Sequence, residues 1–384
     1  MIAQPQFLFR GEGVLTAGEH RFDTPLEVIV GPRAEVDVRI SVPLTAENAG
    51  DLLRITHSAE LEMPMFSLAG TTDEGVTVSS DALYLTRVAT PGGVAVEAKL
   101  SALQFDACWP RQDGADSDVE LGVEYLIPGI KGFGVDQIGT EYGELSLRAS
   151  AELEDYSAIS GSLWLSSGPT IADEIRDAFI DRVLEILSFA QGTRLDWVAR
   201  KEYRQGRLSA IRLEPTAWIP QPGFAVFSHL NLGPVLELAT KRYSEEVREQ
   251  HGIGVAIAWL LTRPLYREAE FMMGMTALEH LVSKCGAVKH LSVVSKTLFG
   301  NSIRPALEEA LEALTIPNKQ AKESLLRGIA RLNQPTSRER LEALISEAQV
   351  PMAGLEGGVA TLVRTRNVIV HTGQAPVAEP GGSA

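Results

Sequence analysis

The stretch Gly161–Ser162–Leu163–Trp164–Leu165–Ser166–Ser167–Gly168–Pro169–Thr170–Ile171–Ala172–Asp173–Glu174–Ile175 is where the sequence changes its period. Before it, apolar residues alternate with polar ones, as on a half-buried strand. After it they recur at helical spacing: Ile171, Ile175, Phe179, Val183 and Leu187 form one stripe. Between the two, Ser166–Ser167–Gly168–Pro169 breaks the chain. Thr170, with Asp173 three residues on, has the form of a helix-capping box. This stretch therefore divides the chain into a β-rich part, residues 1–168, and a mainly helical part from 169 onward.

Upstream, Leu145, Leu147, Ala149, Ala151 and Leu153 alternate with Ser, Arg and Glu, and Val94, Val96 and Ala98 do so after the Pro91–Gly92–Gly93 turn. Short segments of this kind without a long helical pattern predict a sandwich or a barrel-like sheet. Asp113 to Glu120 reads as a solvated acidic loop, and Gly161–Leu165 as a last strand. Gly129–Ile130–Lys131–Gly132–Phe133–Gly134 lacks the spacing of a phosphate loop and reads as a turn.

Downstream, Arg194–Val198 and Arg207–Ile211 flank Gln205–Gly206, which predicts a hairpin inserted in, or packed on, the helical domain. Its Trp197 and Tyr203 suit core packing. Helices are expected over 234–249, 253–262, 265–284, 300–315, 319–333, 336–348 and 354–371, with Pro264, Pro317, Pro335 and Pro351 at the breaks. Met272, Met273 and Met275 suit core filling. Such helices bury their apolar faces against one another as a bundle. Residues 374–384, rich in Gly, Pro and Ala, read as a disordered tail. The expected architecture is α+β and multidomain. A β-rich acidic domain, 1–168, precedes an all-α domain, 169–373, with its core at 230–373 and a small hairpin insertion.

The chain has 384 residues, a formal net charge of −15 and two cysteines, Cys108 and Cys285. Two distant cysteines make neither a disulfide framework nor a CxxC zinc site. His280, Cys285 and His290 are spaced by five and lack the further ligands a metal needs. Ser162 and Ser166 lack the GxSxG context of a hydrolase. The N-terminus has no signal-peptide pattern, and Gly252 to Leu261 is too short to span a bilayer, so the expectation is a cytoplasmic protein without a membrane partner. The charge is uneven. Residues 1–170 hold 10 Lys+Arg against 26 Asp+Glu, whereas residues 171–384 hold 25 against 24. The acidic part opposes a nucleic-acid partner, while the helical part could meet a phosphate backbone locally.

The last helix carries Arg366–Asn367–Val368–Ile369–Val370–His371. Leu355, Val359, Leu362 and Ile369 share an apolar stripe, and Arg366 falls on it, where an unpaired charge is costly. Asn367 and His371 are one turn apart on one face. Arg366 and His371 differ by about 140° around the axis, so one helix does not bring their tips together and a second copy would help. Histidine exchanges protons near neutral pH, arginine offers a donor fork to phosphate, and asparagine can orient either. Together they suit metal-independent RNA cleavage by attack of a 2′-hydroxyl on the adjacent phosphate. Nothing suggests a carboxylate cage for Mg²⁺, and no cofactor is expected. The structural alternative has His371 capping the helix C-terminus and Arg366 pinned by a carboxylate such as Glu279.

Arg366–Asn367–x–x–x–His371, with its flanks Val363–Arg364–Thr365 and Thr372–Gly373, resembles the signature of the HEPN superfamily (higher eukaryotes and prokaryotes nucleotide-binding). Ala277–Leu278–Glu279–His280–Leu281 is similar to the paired helix of large prokaryotic members. The resemblance implies a HEPN-like bundle over about 171–373. It further implies a homodimeric endoribonuclease of antiphage or abortive-infection type, in which Arg366, Asn367 and His371 of two copies line one cleft. Glu279 would orient Arg366, and Arg364 would contact phosphate or remain solvated. RNA is the implied substrate. The acidic β-rich half would be a sensor, a cover or a surface for a phage-derived trigger or regulatory protein. A catalytically inactive HEPN-like module for nucleotide binding, protein binding or dimerisation is the second reading.

Overall fold

The computed structural model describes residues 7–43, 49–57, 65–110, 121–150, 155–167, 171–215, 232–262, 266–316, 318–352 and 357–374. The chain is α+β and forms two compact units, residues 1–244 and 245–384. The division thus falls well after residue 168: the described residues 171–215 and 232–244 belong to the unit that holds the strands. Thr170 and Leu355 lie outside the described residues, as do the acidic loop and the C-terminal tail from 375.

In the first unit, β1 (Phe7–Ala17), β2 (His20–Val30) and β3 (Val36–Pro43) form one antiparallel meander, followed by the short helix α1 (Ala49–His57). A second meander follows, of β4 (Met65–Thr72), β5 (Thr77–Ala89) and β6 (Ala95–Cys108). β1 pairs with β4 and β3 with β6, which closes a six-stranded barrel. Period-two burial explains the closure: Leu15, Phe22, Val28, Val38, Leu83 and Leu100 all point inward and are buried. Of the alternating residues after Gly93, Val96 and Ala98 face this core, whereas Val94 lies before the strand and is exposed.

The 14-residue β6 outlasts the barrel. Its first half pairs with β3, and residues Phe105 to Cys108 pair on with β12 (Arg207–Leu213). From there the sheet continues through β11 (Ala199–Arg204), β7 (Leu121–Pro128), β10 (Ile159–Ser167), β9 (Gly143–Ala149) and β8 (Val135–Thr140). The hairpin expected in the helical domain is therefore a central part of the sheet, and Gly161–Leu165 is not in the last strand. Its first strand begins at Ala199, five residues later than the reading of Arg194–Val198. Its turn was legible: Gln205 and Gly206 both have positive φ, 51° and 71°, as a two-residue hairpin loop requires. Trp197 and Tyr203 pack as expected, Trp197 edge-on to Tyr125 and Tyr203 against Trp164. The glycines at 129–134 form the bend between β7 and β8, with Ile130 fully buried.

Helix α2 (Asp173–Gln191) begins after Ala172, which provides no side-chain cap. It buries Phe179, Ile180, Val183, Leu184 and Leu187, while Ile175 is half exposed. The place that Ile175 was expected to fill is taken by Arg176, only 2% exposed. Arg176 pairs with Asp173 and donates to the Ile171 carbonyl. Arg200 of β11, also buried, contacts Asp173 at 2.7 Å, Asp177 at 2.6 Å and Glu202 at 2.8 Å. The Tyr125 hydroxyl donates to Asp177 at 2.8 Å. This ionic network joins α2 to the sheet. Helix α3 (Leu232–Lys241) packs on α2 and β8.

Two tyrosines of this unit resist ionisation. Burial, aided by Glu124, pushes Tyr203 up to about 12, and burial with Asp177 raises Tyr125. The folded chain therefore keeps these protons at a pH where the unfolded chain, near the ordinary value of about 10, has lost them. The stabilising contribution of Tyr203 is complete below about pH 10 and falls away between 10 and 12, and that of Tyr125 declines through the same window and beyond it. Urea midpoints should decline over that window, and Tyr203→Phe should flatten the decline.

The second unit is all helix: α4 (Glu245–His251), α5 (Ile253–Leu261), α6 (Arg267–Lys284), α7 (Gly286–His290), α8 (Lys296–Leu298), α9 (Arg304–Glu312), α10 (Lys319–Arg331), α11 (Ser337–Glu347) and α12 (Gly358–Thr372). A π-helical turn, Phe299–Ile303, joins α8 to α9. Met275, Val282, Cys285, Val288, Leu341 and Val359 form the core shared by α6, α7, α11 and α12. Thr336 and Glu339 cap α11 reciprocally. Among the described residues no helix is long and apolar enough to cross a membrane.

Gly252 sets the turn into α5. Its φ is +62°, and a Cβ there would lie 2.3 Å from His280 Nε2. Gly252→Ala combines left-handed strain with a clash, and should cost about 1–3 kcal/mol, read as a lower thermal midpoint.

Candidate functional site

The charges follow the units. Residues 1–244 hold 20 Lys+Arg and 35 Asp+Glu, and residues 245–384 hold 15 of each, so the helical unit is neutral and the other carries the whole −15. Phosphate would meet no opposing net charge on the helical unit.

Helix α12 lies against α6 and α11. Val359 and Ile369 are buried on its inner side, and Leu362 packs on the shared core. Ala360, Arg364, Asn367 and His371 are exposed. At 100° per residue these four fall within about 60° of arc, one continuous outer stripe. Val370 beside them is 51% exposed, an apolar residue on an otherwise polar face.

Arg366 lies on the inner side, as its place in the apolar stripe predicts. It is paired: Nη2 is 3.3 Å from Glu279 Oε1 on α6, and Nη1 donates to Asn367 Oδ1 at 3.3 Å. Its Nε is buried without a hydrogen-bond partner. An unmet buried donor costs free energy, as it does at Arg176 and Arg200 of the ionic network, whose Nε atoms are also buried without a partner. The side chains of Arg366 and Glu279 are 34% and 42% exposed, so the ion pair is screened and contributes at most about 1 kcal/mol. Its main consequence is geometric, since Glu279 fixes the guanidinium beside Asn367.

The residues read from the sequence thus divide into two groups. Arg366, Asn367 and Glu279 are brought together, whereas Arg364 and His371 share the outer stripe with Asn367. Arg366 and His371 of one chain do not converge. His371 makes no hydrogen bond among the described residues. It does lie in the last turn of α12, where a cation is favoured by the helix carbonyls.

The neighbouring titratable groups have other roles. His280 turns to Gly252, and its Nε2 is buried without a partner. The Cys285 thiol donates to Glu347 Oε2 at 2.7 Å, and His290 is exposed. Among the described residues no three His, Cys, Asp or Glu side chains are placed to hold a metal ion. One feature had no signal in the residue pattern: Lys296, Arg304 and Arg340, far apart in sequence, line a single open cleft.

No family model, no curated protein and no solved structure matches this chain.

Proposed function

We propose that the helical unit is a metal-independent endoribonuclease of HEPN type. It acts as a homodimer in which α12 of two copies faces one RNA-binding groove, in antiphage defence by abortive infection. The observation that carries this reading is the disposition of α12: Arg366 is held by Glu279 beside Asn367, next to an outer stripe of Arg364, Asn367 and His371. The exposed Val370 on the same side suits a helix that meets a second copy.

In such a groove Arg366 and Arg364 bind the phosphate, and Asn367 keeps the guanidinium in place. One His371 accepts the 2′-hydroxyl proton as the 2′-oxygen bonds to phosphorus. The partner's His371 donates a proton to the departing 5′-oxygen as the P–O5′ bond breaks. The products are a 2′,3′-cyclic phosphate and a 5′-hydroxyl, and no metal takes part. The acidic first unit is the surface for a trigger or regulatory protein.

One observation favours the second reading, a non-catalytic dimerisation or nucleotide-binding module. Among the described residues nothing orients His371, whereas a general base is ordinarily held by a partner group. The test incubates purified protein with mixed RNA in EDTA, beside Arg366→Ala and His371→Ala. Cleavage by wild type alone supports the nuclease. Equal background in all three, with no toxicity on overexpression, supports the module.

A further inference from the structure

We infer that the open cleft at the base of the α8–α10 arm binds a nucleoside phosphate, free or within an RNA strand. The inference stands whether or not α12 cleaves RNA. The cleft lies wholly within the helical unit and measures about 560 Å³, a size that suits a nucleotide.

Its lining holds three cations, Lys296, Arg304 and Arg340, and no carboxylate. The two arginines are anchored in the same way. Arg304 Nε pairs with Glu308 at 2.7 Å, and Arg340 Nε donates to the Pro335 carbonyl at 3.1 Å. Each is fixed through Nε, which leaves its two terminal nitrogens as a fork for phosphate oxygens. Lys296 is exposed and makes no ion pair among the described residues.

The cleft also has a flat apolar surface and a fixed frame. Phe299 is half-buried in the lining and opens the π-helical turn, an interruption that often marks functional sites. A base can stack on its ring. The Asn333 side chain accepts from Val294 N at 2.8 Å and donates to Val294 O at 3.0 Å, which ties the two ends of the arm together. The Gln334 amide beside it is free to meet a base edge.

The test titrates AMP, ATP, inorganic pyrophosphate and a short fluorescein-labelled single-stranded RNA into the full-length chain carrying His371→Ala, which keeps RNA intact. Lys296→Glu and Arg304→Gln are added singly; both positions are exposed, and circular dichroism checks their folding. Each should weaken binding at least about tenfold, the loss of one charge-assisted contact. Phe299→Leu should weaken AMP and RNA but not pyrophosphate. Binding of AMP or ATP identifies a free nucleotide, and binding of RNA alone identifies a strand. The proposal is overturned if no probe binds, or if Lys296→Glu and Arg304→Gln leave affinity unchanged. It is equally overturned if only Arg364→Ala weakens RNA binding, which would leave the α12 reading standing.

Discussion

His371→Ala should lower RNA cleavage in EDTA by about two to four orders of magnitude, the span of a lost general acid or base. Stability should barely change. His371 is exposed and makes no hydrogen bond among the described residues, so only its favourable place at the helix end is lost, about 0.3–1 kcal/mol. This separation of effects is informative. A purely capping histidine predicts the same small loss of stability and no change in any activity, so cleavage alone separates the two readings. Arg366→Ala should also abolish cleavage, with at most about 1 kcal/mol lost from the screened pair with Glu279. Glu279→Ala should leave the fold intact and reduce cleavage less than Arg366→Ala, because it positions the guanidinium without touching phosphate. Cleavage rates and thermal midpoints measured on the same preparations test the whole set.

Arg200→Ala should be the most destabilising of these substitutions. It leaves Asp173, Asp177 and Glu202 facing one another without their shared cation. Burial alone would lower the arginine's pKa, but these carboxylates raise it, so the guanidinium stays charged at every accessible pH. Breaking a buried pair by removing one partner typically costs about 3–5 kcal/mol. Asp173 is 46% exposed, and water there relieves part of the repulsion, so the lower end of that range is expected. Urea unfolding followed in the first unit measures it, and a loss below about 1 kcal/mol would mean that the network does not hold α2 to the sheet.

The same network explains what the sequence could and could not reveal. Local patterns are legible: the alternation at Val96 and Ala98 of β6 and at Leu145 and Leu147 of β9, the Gln205–Gly206 turn, and the helix breaks at Pro335 and Pro351. Long-range pairing is not. Nothing in Arg207–Leu213 announces that it will pair with Phe105–Cys108, so the local pattern alone places the hairpin in the wrong unit. Arg176, beside the α2 stripe, carries no local sign in the sequence that it will be buried. At the site, the helical position of Arg366 was readable from its apolar neighbours, and Glu279 from its resemblance to a paired helix. The outer stripe of Arg364, Asn367 and His371 follows from helical geometry alone. The cationic cleft was invisible, since Lys296, Arg304 and Arg340 converge only when the arm folds back through Asn333.

The ends of RNA fragments produced in EDTA test the proposed composite, metal-independent site most directly. Wild-type protein should yield 2′,3′-cyclic phosphate and 5′-hydroxyl termini, and His371→Ala should yield neither. Fragments ending in 3′-hydroxyl and 5′-phosphate, or fragments formed equally by His371→Ala, would contradict the account.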